Sequence, residues 1–371
     1  MSREPSKRLS SKRPAKIFEE SDDDDSREDI APRNSKKKKA RVSPDEEEEE
    51  EKVNTQDYYK EWSGHTIKYL ALVHRQLVAQ NKKRFVWLAG DSSLDNKRWL
   101  FSHEGGELPS RYQIPAKQLV KAVNGYEQIL SPSPAMSMPD VCHWINFELA
   151  GTGKGEATAA IMTSVEESLL RARKDGLLNQ DEFIRDNMGQ DDILIVSVGG
   201  NDVALSPTDE VRRLMTSLGM RAIKGQFPTL AELQPLVDLL KTDLEAYIVK
   251  LTKKHKPALV LVCAIYFPCE VQGPSWAQKF FLAYDQSPAF FQQLIRTLFQ
   301  EATKKVRVPG CKSVVPVPLF EVLDPKYATQ YIQRVEPSSE GGHLMAKRFV
   351  AEILKHDRAM ASSSSSSAKA N

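Results

Sequence analysis

Ser92 and Asn201 are the side chains whose surroundings could do chemistry together. Ser92 lies in Gly90-Asp91-Ser92-Ser93-Leu94-Asp95-Asn96, and Asn201 lies in Gly199-Gly200-Asn201-Asp202. Each string follows an apolar run that reads as a buried strand, Phe85 to Ala89 and Ile193 to Val198. A serine ending one strand and an asparagine ending another can meet at a shared sheet edge. The serine would be a nucleophile and the asparagine amide a donor to the oxyanion it creates. Either string taken alone could also be an ordinary turn.

Alternating elements must position these two groups. Helical spacing over Gln56 to Gln80 precedes the Phe85 to Ala89 strand. A second strand is expected at Val141 to Leu149, then a helix near Glu156 to Lys174 and the Ile193 to Val198 strand. A helix near Leu230 to Lys254 leads to a continuous apolar strand, Ala258 to Ile265. An aromatic-rich helical region over about Ser275 to Val306, a strand at Ser313 to Val317 and a helix from Gly341 to Lys355 complete the pattern. Strands alternating with helices predict an α/β fold, a three-layer α/β/α arrangement with a doubly wound parallel sheet of about five strands. Such a sheet carries its site at the carboxyl ends of the strands.

The 371 residues are 27% charged, yet the formal net charge is only +2, because opposite charges are segregated along the chain. Residues 1–52 contain almost nothing apolar and read as a disordered charged tail. Acidic runs cover Asp22 to Asp25 and Glu46 to Glu51, and Ser21 and Ser43 look like kinase substrates. Lys36, Lys37, Lys38, Lys39 and Arg41 resemble a nuclear-import signal, which implies an import receptor as partner and a nuclear or nucleocytoplasmic location. Nucleic-acid contact is not expected, since acidic runs flank the basic one and no aromatic residues interleave it. Residues 53–358 would form the folded domain and 359–371 a disordered serine-rich tail. The N-terminus is too polar for a secretory signal, and no apolar stretch is long enough to span a membrane. The four cysteines lack CxxC spacing and read as buried reduced thiols. No metal-ligand spacing and no cofactor motif is present; Gly151, Gly153, Lys154 and Gly155 do not have P-loop spacing.

The two strings together resemble the first and third signature blocks of the SGNH (GDSL) hydrolase superfamily, G-D-S-x-x-D-N and G-x-N-D, and the resemblance covers about Arg84 to Lys355. It implies that Ser92 attacks an ester carbonyl, that Asp95 and Asn96 brace its turn, and that Asn201 joins the oxyanion hole. The family's second block, N-x-x-x-x-G-x, fits Asn146 to Thr152 and makes Gly151 the backbone donor. The last block, usually D-x-x-H-P-S-x-x-G, is altered. In one register His343 is the base and Glu340 its orienting carboxylate. In the other, Pro337, Ser338, Gly341 and Ala346 all align; Glu336 then stands where the histidine belongs and Gln333 where the aspartate belongs. A histidine of pKa ~6.5 suits a base near neutrality, whereas a free glutamate at ~4.3 does not unless burial raises it. The remaining histidines carry no motif, although His103 sits in the loop after the first block.

Two functions stay open on this reading. The first is a serine esterase removing a small O-acyl or acetyl group, with Ser92, Gly151, Asn201 and His343 or Glu336 at work. The second is a binding module on the same fold, with its base disabled, holding an acylated or anionic ligand. Aromatic residues at Tyr266-Phe267, Trp276, Phe280-Phe281, Tyr284 and Phe290-Phe291 could line a cleft or fill a core.

Overall fold

The computed structural model describes residues 52–101, 114 and 116–368, all within the compact unit Glu50–Asn371. The basic and acidic runs, Ser21, Ser43 and His103 lie outside the described residues. Five parallel strands form the central sheet: β1 Arg84–Gly90, β2 Thr158–Met162, β3 Ile193–Ser197, β4 Leu259–Ala264 and β5 Val314–Pro318. Their order is β2-β1-β3-β4-β5. The eight longer helices are α1 Ile67–Ala79, α2 Val141–Gly151, α3 Asn179–Asn187, α4 Asp209–Lys224, α5 Leu244–Leu251, α6 Gln278–Tyr284, α7 Pro288–Glu301 and α8 Ser339–Ala368. Among the described residues no helix is long and apolar enough to cross a membrane.

Side chains along a strand alternate between the sheet's faces, and both faces here are apolar. Phe85, Trp87 and Ala89 of β1 share one core with Leu70 and Val73 of α1, Ile184 of α3 and Ile248 of α5. Val86 and Leu88 share the opposite core with Ile145 and Leu149 of α2 and Met345 and Phe349 of α8. The sheet is therefore the middle of three layers, as the alternating pattern predicts. Asp192, just before β3, accepts the Phe85 N–H at 2.8 Å, the Trp87 indole N–H at 2.8 Å and the Gly189 N–H at 2.7 Å. It pins the lower end of β1 to β3.

Three expectations are corrected. Val141 to Leu149 is helix rather than strand: the Asp140 carboxylate caps it by accepting the His143 N–H at 2.8 Å. Because α2 is buried between the sheet and α8, most of its positions are apolar and no helical stripe stands out. The second strand is instead Thr158–Met162, inside the stretch expected as a helix. Its Ala-Ala pair favours helix locally, and pairing with β1 overrides that preference. The serine tract expected as disordered tail continues α8 as far as Ala368. Extending a formed helix needs no new nucleus, and the Ser362 and Ser363 hydroxyls donate to the Ala359 and Met360 carbonyls at 2.8 Å.

β1 and β3 lie side by side with chain connections leaving toward opposite edges, so a crevice opens at their carboxyl ends. The approach there is close: a Cβ on Gly90 would stand 1.9 Å from the Ser197 carbonyl oxygen. Gly90→Ala should therefore lower stability by about 3 kcal/mol, because backbone must shift to admit one methyl group. Urea denaturation checks this, and an unchanged midpoint would show that the crevice is looser than described.

Candidate active site

After Gly90 the chain turns sharply. The Asp91 N–H donates to the Ser197 carbonyl, while the Leu94 and Asp95 N–H groups donate to the Asp91 carbonyl at 3.1 and 2.9 Å. The Asp91 carboxylate accepts from the Ser93 N–H and hydroxyl at 3.0 and 2.7 Å. This single helical turn sets Ser92 at the crevice. Below it, the Asp95 carboxylate pairs with the fully buried Lys97 and accepts the Gly64 N–H at 2.8 Å. Asn96 reaches two other elements. Its Oδ1 accepts the Val141 N–H at 3.1 Å, and its Nδ2 donates to the Pro337 carbonyl at 3.0 Å.

That second bond matters because Pro337 follows Glu336. Glu336–Pro337 forms a short antiparallel ladder with Tyr331–Ile332, closed by Gln333 and Arg334 at φ +47° and +68°. Arg334 ties the turn down by donating to the Cys269 carbonyl and pairing with Asp285. The ladder delivers Glu336 to Ser92. The serine side chain lies close enough to the Glu336 carboxyl group to lower its pKa, and the Trp276 indole N–H donates to Glu336 Oε1 at 2.9 Å. Gln333 holds Trp276 in place by accepting its backbone N–H at 2.9 Å.

Asn201 arrives from β3. Gly199 adopts φ +112°, a conformation that favours glycine, and starts the short helix Gly200–Ala204. The Asp202 carboxylate anchors that helix by accepting the Leu170 and Arg171 N–H groups at 2.7 and 3.1 Å. Asn201 Nδ2 donates to the Ser168 carbonyl at 3.2 Å. Ser92, Asn201 and Glu336 all line one cavity of about 190 Å³.

Glu336 is buried, and burial raises its carboxyl to about 7 against the lowering effect of the Ser92 side chain and the Trp276 hydrogen bond. The charges of Asp91 and Glu167 push it the same way as burial. Glu166 is raised too, first by burial and then by the charges of Glu336 and Asp95. Its Oε1 accepts the Trp99 indole N–H at 3.0 Å, and its Oε2 is buried without a partner. The two glutamates therefore share a preference for holding a proton near neutrality.

The predicted site residues thus separate. Ser92, Asn201 and Glu336 come together. His343 does not join them: it stacks on Trp144 at 4.1 Å between α2 and α8, and its Nε2 meets Glu148 Oε1 at 2.7 Å. Glu340 is exposed in the first turn of α8. Gly151 ends α2, with no atom within 4 Å of where its Cβ would lie, and it is not among the cavity-lining residues. The misassigned strand carried the expected glycine to the wrong place. The loop after the true second strand carries Glu167 instead, at φ +58°. Of the aromatic residues, Tyr266, Trp276, Phe280 and Phe291 line the cavity, whereas Phe281 and Tyr284 are buried in the helical cluster behind it. Sequence reasoning missed Trp276 as a partner of Glu336 and missed Glu166 and Glu167 altogether; no motif marks them. Among the described residues no group of three or more His, Cys, Asp or Glu is placed to hold a metal ion.

No family model and no curated protein sequence matches the chain. Similar solved structures include an acetyl xylan esterase from Geobacillus stearothermophilus, at 12% identity over 74% of this chain and 96% of that one, with a TM-score of 0.35. The acetyl xylan esterase AlAXEase is similar at 13% identity over 72% and 99%, with a TM-score of 0.33. The native M. smegmatis aryl esterase is similar at 13% identity over 73% and 99%, with a TM-score of 0.33.

The titration of Glu336 has a consequence for stability. Its folded pKa lies above its unfolded one, so folding holds the proton more tightly and stability falls as pH rises from about 4.5 to about 7. Glu336→Gln removes that loss. Relative to the wild type, the variant should gain stability between pH 5 and pH 8, by at most ~3 kcal/mol. Denaturation at both pH values measures it, and a difference that does not change with pH would count against a raised Glu336.

Proposed function

We propose that the protein is a serine ester hydrolase of the SGNH type in which Glu336 serves as the base. One observation carries this reading: Ser92 shares its cavity with Glu336, a buried carboxyl group that burial raises to about 7 and that the neighbouring serine side chain lowers. A base works best when its pKa is close to the working pH, and burial gives this glutamate the value that histidine has intrinsically. The Ser92 oxygen attacks the ester carbonyl as its proton passes to Glu336. Asn201 has a second amide N–H beyond the one donated to Ser168, and that hydrogen meets the oxyanion, together with the Ser92 backbone N–H. The tetrahedral intermediate collapses, and the alcohol leaves with the proton from Glu336. Water then attacks the acyl-serine, losing its proton to Glu336, which returns it to the Ser92 oxygen as the acid departs.

Trp276 orients the carboxyl group, the part the aspartate plays in the family pattern. The charges of Asp91 and Glu167 beside Glu336 argue against the alternative of a module that holds an anionic ligand. The basic run Lys36 to Arg41 leads us to propose nuclear import of the enzyme. Residues 1–52 fused to a fluorescent reporter should carry it into nuclei, and a cytoplasmic reporter would refute that part.

Fluorophosphonate labelling of the full chain, with hydrolysis of p-nitrophenyl esters, tests the chemistry. Labelling should occur at Ser92 and disappear in Ser92→Ala. Glu336→Gln should lose about 10²–10⁴ in kcat. Asn201→Ala should lose about 10²–10³. His343→Ala should stay within about twofold, since a residue outside the site costs no transition-state stabilisation. Activity should rise with pH through about 7 as Glu336 loses its proton. An unlabelled, inactive wild type would instead favour a binding module.

A further inference from the structure

The cavity that Ser92 opens into is polar at one end only. Ser92, Asn201 and Glu336 sit at the strand ends, and the opposite walls come from a separate cluster of helices. Val211 and Leu218 of α4, Phe281 of α6 and Phe291 and Leu294 of α7 pack together there. From this cluster and its neighbours, Leu236, Leu240, Phe280, Leu294, Leu298 and Phe299 face the cavity. The polar atoms of two other wall residues are already engaged: the Tyr266 hydroxyl donates to the Val335 carbonyl at 2.8 Å and the Trp276 indole to Glu336. Among the described residues, Thr303 is the one hydroxyl on the far wall. Such walls cannot replace the hydration of a sugar or a charged acyl group, but they can take a hydrocarbon chain without cost.

Size sets the length of that chain. An apolar cavity of about 150 Å³ lined by Leu, Ile and Phe takes up benzene, a six-carbon ring. By that comparison the cavity of about 190 Å³ matches roughly seven carbons. An acetyl group would leave most of it empty, and lost contacts around a void are unfavourable.

We propose that this cavity is an acyl-chain pocket, so that the substrate is an ester of an unbranched hydrocarbon acid of about six to eight carbons, its carbonyl at Ser92 and its chain running between α4 and α7. The proposal rests on the hydrolase reading above and adds the acid part of the ester. Leu298, in the last turn of α7, is the specificity-determining residue it singles out.

The test is kcat/KM of the full chain for p-nitrophenyl esters from acetyl to hexadecanoyl. It should rise by up to about fourfold per methylene, reach a maximum near octanoyl, and fall about tenfold or more by dodecanoyl. Leu298→Trp should move the maximum to shorter acids and Leu298→Ala to longer ones. Opposite shifts would not arise from a merely weakened fold. A Ser92-dependent activity that prefers acetyl, or that ignores chain length, would overturn the pocket and leave the hydrolase standing. If no ester is turned over, binding of acetamide through decanamide to Ser92→Ala decides the matter. Tightest binding near octanamide, weakened in Leu298→Trp, would support the pocket without the hydrolase; no length dependence would overturn it.

Discussion

A carboxyl group buried against a serine hydroxyl is the constraint around which the rest is arranged. The Trp276 indole that donates to Glu336 and the Ser92 side chain beside it are neutral, so nothing offsets its lost hydration in full. The group responds by holding its proton up to a pH where an ordinary glutamate is long since ionised. A buried ion pair here would have fixed the charge and removed the basicity. Neighbouring acids add to the effect instead, and the Glu166 carboxyl, itself half unpartnered, is part of the same balance.

Several long-range ties hold this group in place. The Asn96 amide binds α2 with one atom and the Glu336 ladder with the other, so a single side chain fixes Glu336 relative to the turn that carries Ser92. Gly90 lets β1 and β3 approach closely enough for Ser92 and Asn201 to face one crevice. Arg334, through Asp285 and the Cys269 carbonyl, ties the ladder to the region of α6. Each tie connects segments far apart in sequence, which is how a five-stranded sheet concentrates residues 92, 201 and 336 at one edge.

What could be read from the sequence follows from how locally each feature is determined. Four strands were legible because doubly buried parallel strands are continuous apolar runs, and Ser92 and Asn201 because short polar strings end two of those runs. The remaining strand was not, since Thr158–Met162 is an edge strand of small residues whose conformation comes from β1, while α2 is apolar on most sides and imitates a strand. Gly151 went astray with it. The choice between Glu336 and His343 could be framed from alignment but not decided, because the decision lies in a contact 244 positions from Ser92 to Glu336 (336 − 92). Trp276 had no signal at all: an indole donor is recognisable only once its acceptor is in place.

The cavity is assembled from two parts of the chain. Ser92, Asn201 and Glu336 are supplied by the ends of the sheet and by one short ladder, while the apolar walls belong to α4, α6 and α7, which sit in the connections after β3 and β4. A substitution, insertion or deletion in those connections can reshape the walls without touching the bonds that align the serine with its carboxyl partner. The polar end and the apolar walls of the cavity are thus free to change independently, the first held by the sheet and the second open to change one helix at a time.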